Sequence, residues 1–465
     1  MKPRIPLTVL SVAVVSLLAA CAVTRVEPPA PFVAAPQYKE AGDWQHAPAA
    51  LPVPEQWWTL FGDPVLDDLQ RRLVIGNETL KSAVAAVAGA RAAYEASRSA
   101  MYPTLSAGLD ATRSASPGST AERNPGNSVS LSATASWEVD LWGRLSQASS
   151  GAQASLQASQ DDLAAVRLSA QALLAQTYFS LRTADAQLAL LDRSVALYQR
   201  SLDLTQVRYD DGVVARTDVL QARTQLQSAQ AQAADLEAGR AQLEHALAVL
   251  LGVPPSALGL ERNAALPPAP DVPPMLPSTL LERRPDIAAA QRRVAAAYAQ
   301  IGVADAAWFP DLSLSASAGY RGASLARLVS APNLLWSLGA SVTEAVLDGG
   351  QRKLASAQAR AAADQATAAY RQTVLTALQE VEDNLVLADR LQREAQFQAE
   401  ALQAAQRNLE ITLDQYRTGT VSYLNVVTAQ TSALTSESSL LSVRNRQLAA
   451  VNQLLKNIAG RWAPA

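Results

Sequence analysis

The chain repeats itself at a fixed interval, and that interval leaves few folds open to it. Tyr102-Pro103-Thr104-Leu105-Ser106 is matched by Phe309-Pro310-Asp311-Leu312-Ser313, and Tyr209-Asp210-Asp211-Gly212 by Tyr416-Arg417-Thr418-Gly419, both pairs 207 residues apart. Leu80 and Ile287, Gly143 and Gly350, Val219 and Val426, and Ala222 and Ala429 keep the same offset. A constant spacing over such a distance marks an internal duplication, so each half is one copy of the same plan. Pro-rich stretches precede and separate the copies, Pro28 to Pro64 and Pro254 to Pro277. They read as extended segments lying over something else. The expected divisions are therefore 21–64 for an N-terminal arm, 65–253 for the first repeat, 254–278 for the linker and 279–461 for the second repeat.

Each copy contains a run without Gly or Pro, Ala152 to Asp211 and Gln351 to Thr418. At 1.5 Å per residue these predict single helices of roughly 90 and 100 Å. Leu174, Leu181, Leu188, Val195, Leu202 and Tyr209 recur at heptad spacing along the first, and Val381, Ala388, Ala395, Leu402, Leu409 and Tyr416 along the second. Thr177, Ala184, Leu191, Tyr198 and Thr205 follow the first set three positions on. Small residues in half of the seam predict coiled-coil packing with close helix approach. After each glycine turn a shorter helix returns, about 217–251 and 422–459. An Ala-rich helix opens each copy, roughly 67–99 and 286–307, and ends near the proline of the repeated motif.

Between the opening and long helices lie alternating stretches. Leu105, Ala107, Leu109 and Ala111 alternate with Ser106, Gly108, Asp110 and Thr112. Val129 to Val139 alternates in the same way, and Leu312 to Tyr320 and Trp336 to Val342 repeat the pattern in the second half. Period-two alternation with Ser and Thr on one face is the signature of transmembrane β-strands. Polar turns, Ser114–Asn127 and Arg321–Asn333, join each pair. Four strands cannot close a barrel, since the smallest membrane barrels have about eight. An open sheet in lipid leaves backbone groups unpaired, so the strands must be shared between subunits. Two copies reach eight strands and three reach twelve; the strand count demands an oligomer. The polar face then lines a water-filled bore, and the helices extend about 100 Å from the membrane.

The N-terminus supplies the compartment. Lys2 and Arg4 precede a short apolar stretch, and Leu18-Ala19-Ala20-Cys21 closes it. This reads as an export signal over residues 1–20. The final tetrapeptide resembles a lipobox, which makes Cys21 the lipidated first residue of a mature envelope lipoprotein. Cys21 is the only cysteine, so the mature chain forms no disulfide and relies on packing. A net charge of −3 over 465 residues argues against nucleic acid as a partner. With only His46, His245 and three methionines, a metal site is not expected, nor any cofactor beyond the covalent lipid on Cys21. No Gly-rich phosphate loop or nucleophile–base pairing appears, so no enzymatic activity is expected.

The motifs Gln56-Trp57-Trp58-Thr59-Leu60-Phe61-Gly62-Asp63-Pro64 and Leu281-Glu282-Arg283-Arg284-Pro285-Asp286-Ile287, with Trp137 to Arg144 and Leu347-Asp348-Gly349-Gly350, resemble those of TolC-like outer-membrane factors. The resemblance covers essentially the whole mature chain and points to the lipidated NodT/OprM branch. It implies an α+β membrane protein: a homotrimeric 12-stranded transmembrane β-barrel, four strands per chain, continuous with a periplasmic α-helical coiled-coil barrel closed at its far end. It further implies a passive exit duct of an efflux pump expelling small toxic compounds or drugs. The partners would be a periplasmic adaptor and an inner-membrane transporter of the RND type. A channel for type I polypeptide secretion and a non-conducting envelope lipoprotein are the rival readings.

By the same resemblance, Gly212 and Gly419 are adaptor contacts as well as turn formers. Tyr416 and Asp218 stand at positions that link helix pairs in the closed state of relatives. Tyr209, Arg216 and Arg417 complete the expected periplasmic gate, with Arg208, Asp210 and Asp211 as further charges there. The chain departs from the family pattern at Val421, Asn425 and Thr428, where TolC-type members carry an arginine and two carboxylates. Arg283, Arg284 and Asp286 begin a helix and are read as capping and packing residues.

Overall fold

A computed structural model describes residues 27–30, 32–33, 37–40, 56–114, 126–270, 272 and 284–458. Cys21, His46, Arg283, residues 281–282 and most of the first polar turn lie outside them. The repeated plan is present twice. The first copy runs α1 (Pro64–Gly76), α2 (Glu78–Ser99), β1 (Thr104–Ser114), β2 (Gly126–Val139), α3 (Arg144–Asp210) and α4 (Arg216–Leu250); the second runs α5 (Pro285–Ala306), β3 (Asp311–Gly322), β4 (Leu334–Thr343), α6 (Gln351–Arg417) and α7 (Tyr423–Ile458). Both long helices have 67 residues, about 100 Å each. The chain divides into two compact units, one around residues 85–160 and 289–371, the other around 32–84, 161–288 and 372–465 as far as these are described.

Two helical expectations need correction. The opening helix of the first copy is not continuous. It breaks at Asn77, whose Oδ1 accepts from the Leu80 amide at 2.9 Å while Nδ2 donates to the Leu250 carbonyl at 2.7 Å. The break is imposed from a distance: a Cβ on Gly76 would lie 2.1 Å from the Leu251 carbonyl oxygen, and Gly252 faces the Gly76 carbonyl equally closely. Gly76 and the N-cap residue Asn77 mark the same break locally. The first long helix also starts at Arg144 instead of beyond Gly151. Gly151 is helical because α3 packs tightly there, with a Cβ at this position meeting Ala299 Cβ at 3.4 Å.

In the unit around residues 85–160 and 289–371, the strands form one antiparallel sheet in the order β1-β2-β3-β4. Leu109 faces Leu131, Leu131 faces Tyr320, and Ala316 faces Leu338, so the apolar residues of the four strands, Leu335 excepted, share one face. Asp140 accepts the Leu145 and Ser146 amides at 3.0 and 2.8 Å at the start of α3, and Asp348 does the same for Gly350 and Arg352 before α6. These carboxylates satisfy the first orphan donors of each long helix. Trp142 stacks on Phe309 at 4.9 Å and donates to the Pro310 carbonyl at 2.7 Å, which gives the repeated Phe-Pro motif a packing role.

The other unit holds the main core, built from Trp57, Phe61, Leu69, Tyr178, Phe179, Leu247 and Leu455 with their neighbours. Its entrance explains the Trp-Trp motif. Residues 57–61 form one 3-10 turn, Gly62 reverses with φ +65, and Asp63 caps α1 by accepting from Val65 and Leu66 before Pro64 at the first helical position. Asp63 also accepts from the Tyr178 hydroxyl at 2.6 Å. The described residues after α4 are irregular apart from a 3-10 turn at Pro255–Ala257, and a buried ionic network straps them down. Arg182 and Arg240 both hold Asp185, at 3.2 and 2.7 Å, and donate to the carbonyls of Glu261 and Leu260. Arg284 forks onto Asp286 and reaches Glu380 at 2.8 Å and Asn457 at 3.0 Å, in keeping with its expected packing role.

Candidate functional site: the helical tip and the two-faced sheet

The long helices end alike. In the first turn Gly212 has φ +73, its amide donates to the Tyr209 carbonyl at 2.9 Å, and Val213 N donates to the Arg208 carbonyl at 2.8 Å. In the second, Gly419 has φ +79, bonds to the Tyr416 carbonyl at 3.0 Å, and Thr420 N reaches the Gln415 carbonyl at 2.9 Å. Both are left-handed glycine caps, a conformation that side chains resist. Thr418 and Thr420 hydroxyls add bonds to the Gln415 carbonyl at 2.9 Å, so the second turn is the more heavily tied.

The two repeated tyrosines have different surroundings. Tyr209 is exposed, whereas Tyr416 is buried with Ala222, Tyr423 and Val426, and Leu202 and Val421 pack against that cluster. Val421, one of the departures from the family pattern, therefore serves apolar packing. The Tyr416 hydroxyl lies 3.3 Å from Thr205 Oγ1, which itself donates to the Ser201 carbonyl at 2.7 Å. That leaves Tyr416 as the donor to Thr205. Arg208 places its guanidinium 4.8 Å from the Tyr416 ring centroid and donates to the Tyr416 carbonyl at 2.6 Å.

Tyr423 was not singled out from sequence; it stands where the first copy has Arg216, and that substitution was the available signal. Its ring meets Tyr416 edge-on at 5.5 Å, and its hydroxyl is buried with no hydrogen-bond partner among the described residues. Burial pushes the Tyr423 phenol well up, aided by the nearby Tyr416, Tyr198 and Asp218. Asp218 sits in the first turn of α4. Arg417 pairs with Asp414 at 3.1 Å on the surface of α6, and Arg216 is exposed. Within the chain the structure thus brings together Tyr416, Tyr423, Arg208 and Thr205, with Asp218 close enough to act on Tyr423. Among the described residues, no three His, Cys, Asp or Glu side chains gather as a metal site requires.

The sheet is the second functional surface. Its apolar face carries Trp336 and Tyr320 toward the strand-connecting turns and Trp137 at the helical end, where Trp137 donates to the Met101 carbonyl at 2.9 Å. Exposed Tyr102 and Trp308 lie at that same end. Aromatic side chains at both margins of an apolar sheet face match the girdles of membrane barrels. β1 and β4 are the free edges.

Comparison with known proteins agrees with this geometry. The model of the outer membrane efflux protein family matches residues 70–253 and 276–460. The pyoverdine export outer membrane protein OpmQ of Pseudomonas aeruginosa is 30% identical over 419 residues, covering 88% of this chain and 87% of that protein. The outer membrane protein OprJ of the same organism is 29% identical over 415 residues, covering 87% and 86%. Among solved structures, the outer-membrane channel OprN superposes with a TM-score of 0.86 at 28% identity, covering 94% of this chain and 100% of that one.

Proposed function

This chain belongs to the outer membrane efflux protein family, and we propose that three copies close a twelve-stranded barrel to form the exit duct of a tripartite pump. The observation that carries this reading is the sheet: one apolar face, one hydroxyl face and two unpaired edges on four strands. Lipid accepts no free strand edge, so β4 of each copy must pair with β1 of the next. The long helices carry the bore across the periplasm. Cys21 bears the lipid that fastens the arm to the membrane, and no cofactor or catalytic step is involved.

The duct is passive, gated at its tip. Tyr416, held by Arg208 and Thr205, keeps the second helical turn against the first, and Asp218 biases the same cluster. Tyr209, Arg216 and Arg417, exposed at the tip, complete the gate, and Gly212 and Gly419 meet a periplasmic adaptor. The adaptor shifts the tip from a sealed to an open packing. Energy comes from an inner-membrane transporter of the RND type, and the cargo is small toxic compounds or drugs. Single-channel recording of the purified protein in a planar bilayer tests the reading. Small, flickering conductance is expected; no current from inserted oligomers, even after Tyr416 and Asp218 are replaced, overturns the duct.

A further inference from the structure

The hydroxyl face of the sheet is nearly free of charge. Register places Ser, Thr or Gly at every position of that face except Asp110, Glu138, Asp311, Arg321 and Leu335. The charges fall at two levels. Glu138 and Asp311 lie at the helical end, where Glu138 is held by Arg144 through both carboxylate oxygens at 2.6 and 2.7 Å. Asp110 and Arg321 lie near the other end, in one row: Asp110 pairs with Ser130, and Ser130 with Arg321. Their backbones are two strand spacings apart, about 10 Å, and both side chains are exposed. Among the described residues neither forms an ion pair.

We infer that the row Asp110–Ser130–Arg321 is the ionic filter of the duct. This rests on the trimeric barrel proposed above. Three copies arrange three carboxylates and three guanidinium groups around the bore within one band of the barrel, tilted with the strands, while the rows between the two charged levels offer only neutral hydroxyls and backbone. Rings of fixed side-chain charge set the ion preference of a pore. Here the ring is balanced, so permeating solutes of either sign meet an attractive group, and neither sign is excluded. Removing one member unmasks the other.

The test is the reversal potential of the purified protein in a bilayer under a KCl gradient, compared for wild type, Asp110→Asn and Arg321→Gln. The expected result is a pair of shifts of opposite sign: toward anions for Asp110→Asn and toward cations for Arg321→Gln. Each should change the permeability ratio by roughly twofold or more, the effect of a unit charge about 10 Å away across water. Asp311 and the tip are common to all three proteins, so neither can produce opposite shifts. Equal currents with unchanged or same-sign reversal potentials overturn the filter and leave the duct intact. Recording the three in an Arg208→Ala background as well guards against a sealed tip. Absence of current from inserted trimers in that background overturns the duct, and the filter with it.

Discussion

Arg208, two residues before the end of α3, covers the phenol ring of Tyr416 on α6 at 4.8 Å and donates to its carbonyl at 2.6 Å. One side chain thus grips both the ring and the backbone of its neighbour, beside the Gly419 turn, where a Cβ would stand 3.5 Å from Arg208 Nη2. The fixed, planar guanidinium is suited to this double contact, and a lysine is not.

Loss of that grip should open the tip. A part-buried cation–π contact and a charge-assisted hydrogen bond together contribute about 2 kcal/mol. Arg208→Ala should therefore raise leak conductance by more than about tenfold, and Arg208→Lys should recover only part of the seal. Asp218→Ala combined with Tyr416→Phe should also leak. Wild-type conductance in Arg208→Ala would reject the grip, and unchanged conductance in the double variant would reject the Tyr416–Asp218 contribution.

Tyr423 makes the tip sensitive to alkali. Burial first, then the neighbouring Tyr416, Tyr198 and Asp218, raise its pKa. Above pH 10 or so the unfolded phenol ionises while the folded one keeps its proton. The unfolded state then binds fewer protons, so stability is complete below about pH 10 and falls as pH rises beyond it. Tyr423→Phe should reduce this alkaline loss, with little change at pH 7, because among the described residues the hydroxyl has no partner to lose. By contrast Tyr178→Phe, which loses the bonds to Asp63 and Arg182, should be destabilising at pH 7 as well. Thermal unfolding between pH 7 and 11 separates the two.

Gly76 and Gly252 press backbone against backbone where α1 breaks from α2. A Cβ on either would fall 2.1 Å from a carbonyl oxygen, and Gly252 also has φ +70. Backbone yields less readily than a side chain, so Gly76→Ala should cost about 3 kcal/mol. Gly89→Ala, with open space around its Cβ position in the same region of sequence, should be neutral or slightly stabilising. Chemical denaturation of the two variants measures the difference.

What was legible in the sequence depended on whether its cause was local. The strands appear within a few residues of their alternating stretches because Leu109, Leu131 and Leu314 announce a face by themselves. The long helices follow from the absence of Gly and Pro. The start of α3 was misplaced because Gly151 reads as a breaker until Ala299 is seen against it. The break at Asn77 has a local cause in its own N-cap, but its tight fit depends on Gly252, and the role of Arg208 depends on a tyrosine in the other repeat. Duplication even misled on one point: it equates Tyr209 with Tyr416, yet one is exposed and the other buried.

The ionic network under the linker is the clearest case of a structure hidden in ordinary helix charges. Asp185 is almost wholly buried, and it accepts from Arg182, Arg240 and the Asn263 amide. Glu244 shares Arg240 and accepts from the Leu260 amide at 2.6 Å. Taking away the shared acid leaves two guanidinium groups in the interior with too few acceptors, so Asp185→Ala should destabilise the chain by about 3–5 kcal/mol. Glu237→Ala should cost little, since its pair with Arg262 is exposed. The linker gives the distinguishing readout: with its anchors at Leu260, Glu261 and Asn263 loosened, residues 254–270 should become cleavable by protease in Asp185→Ala before global unfolding, and remain protected in Glu237→Ala. Equal protection in both would mean that packing of Leu258 and Leu260, without the charges, holds the strap in place.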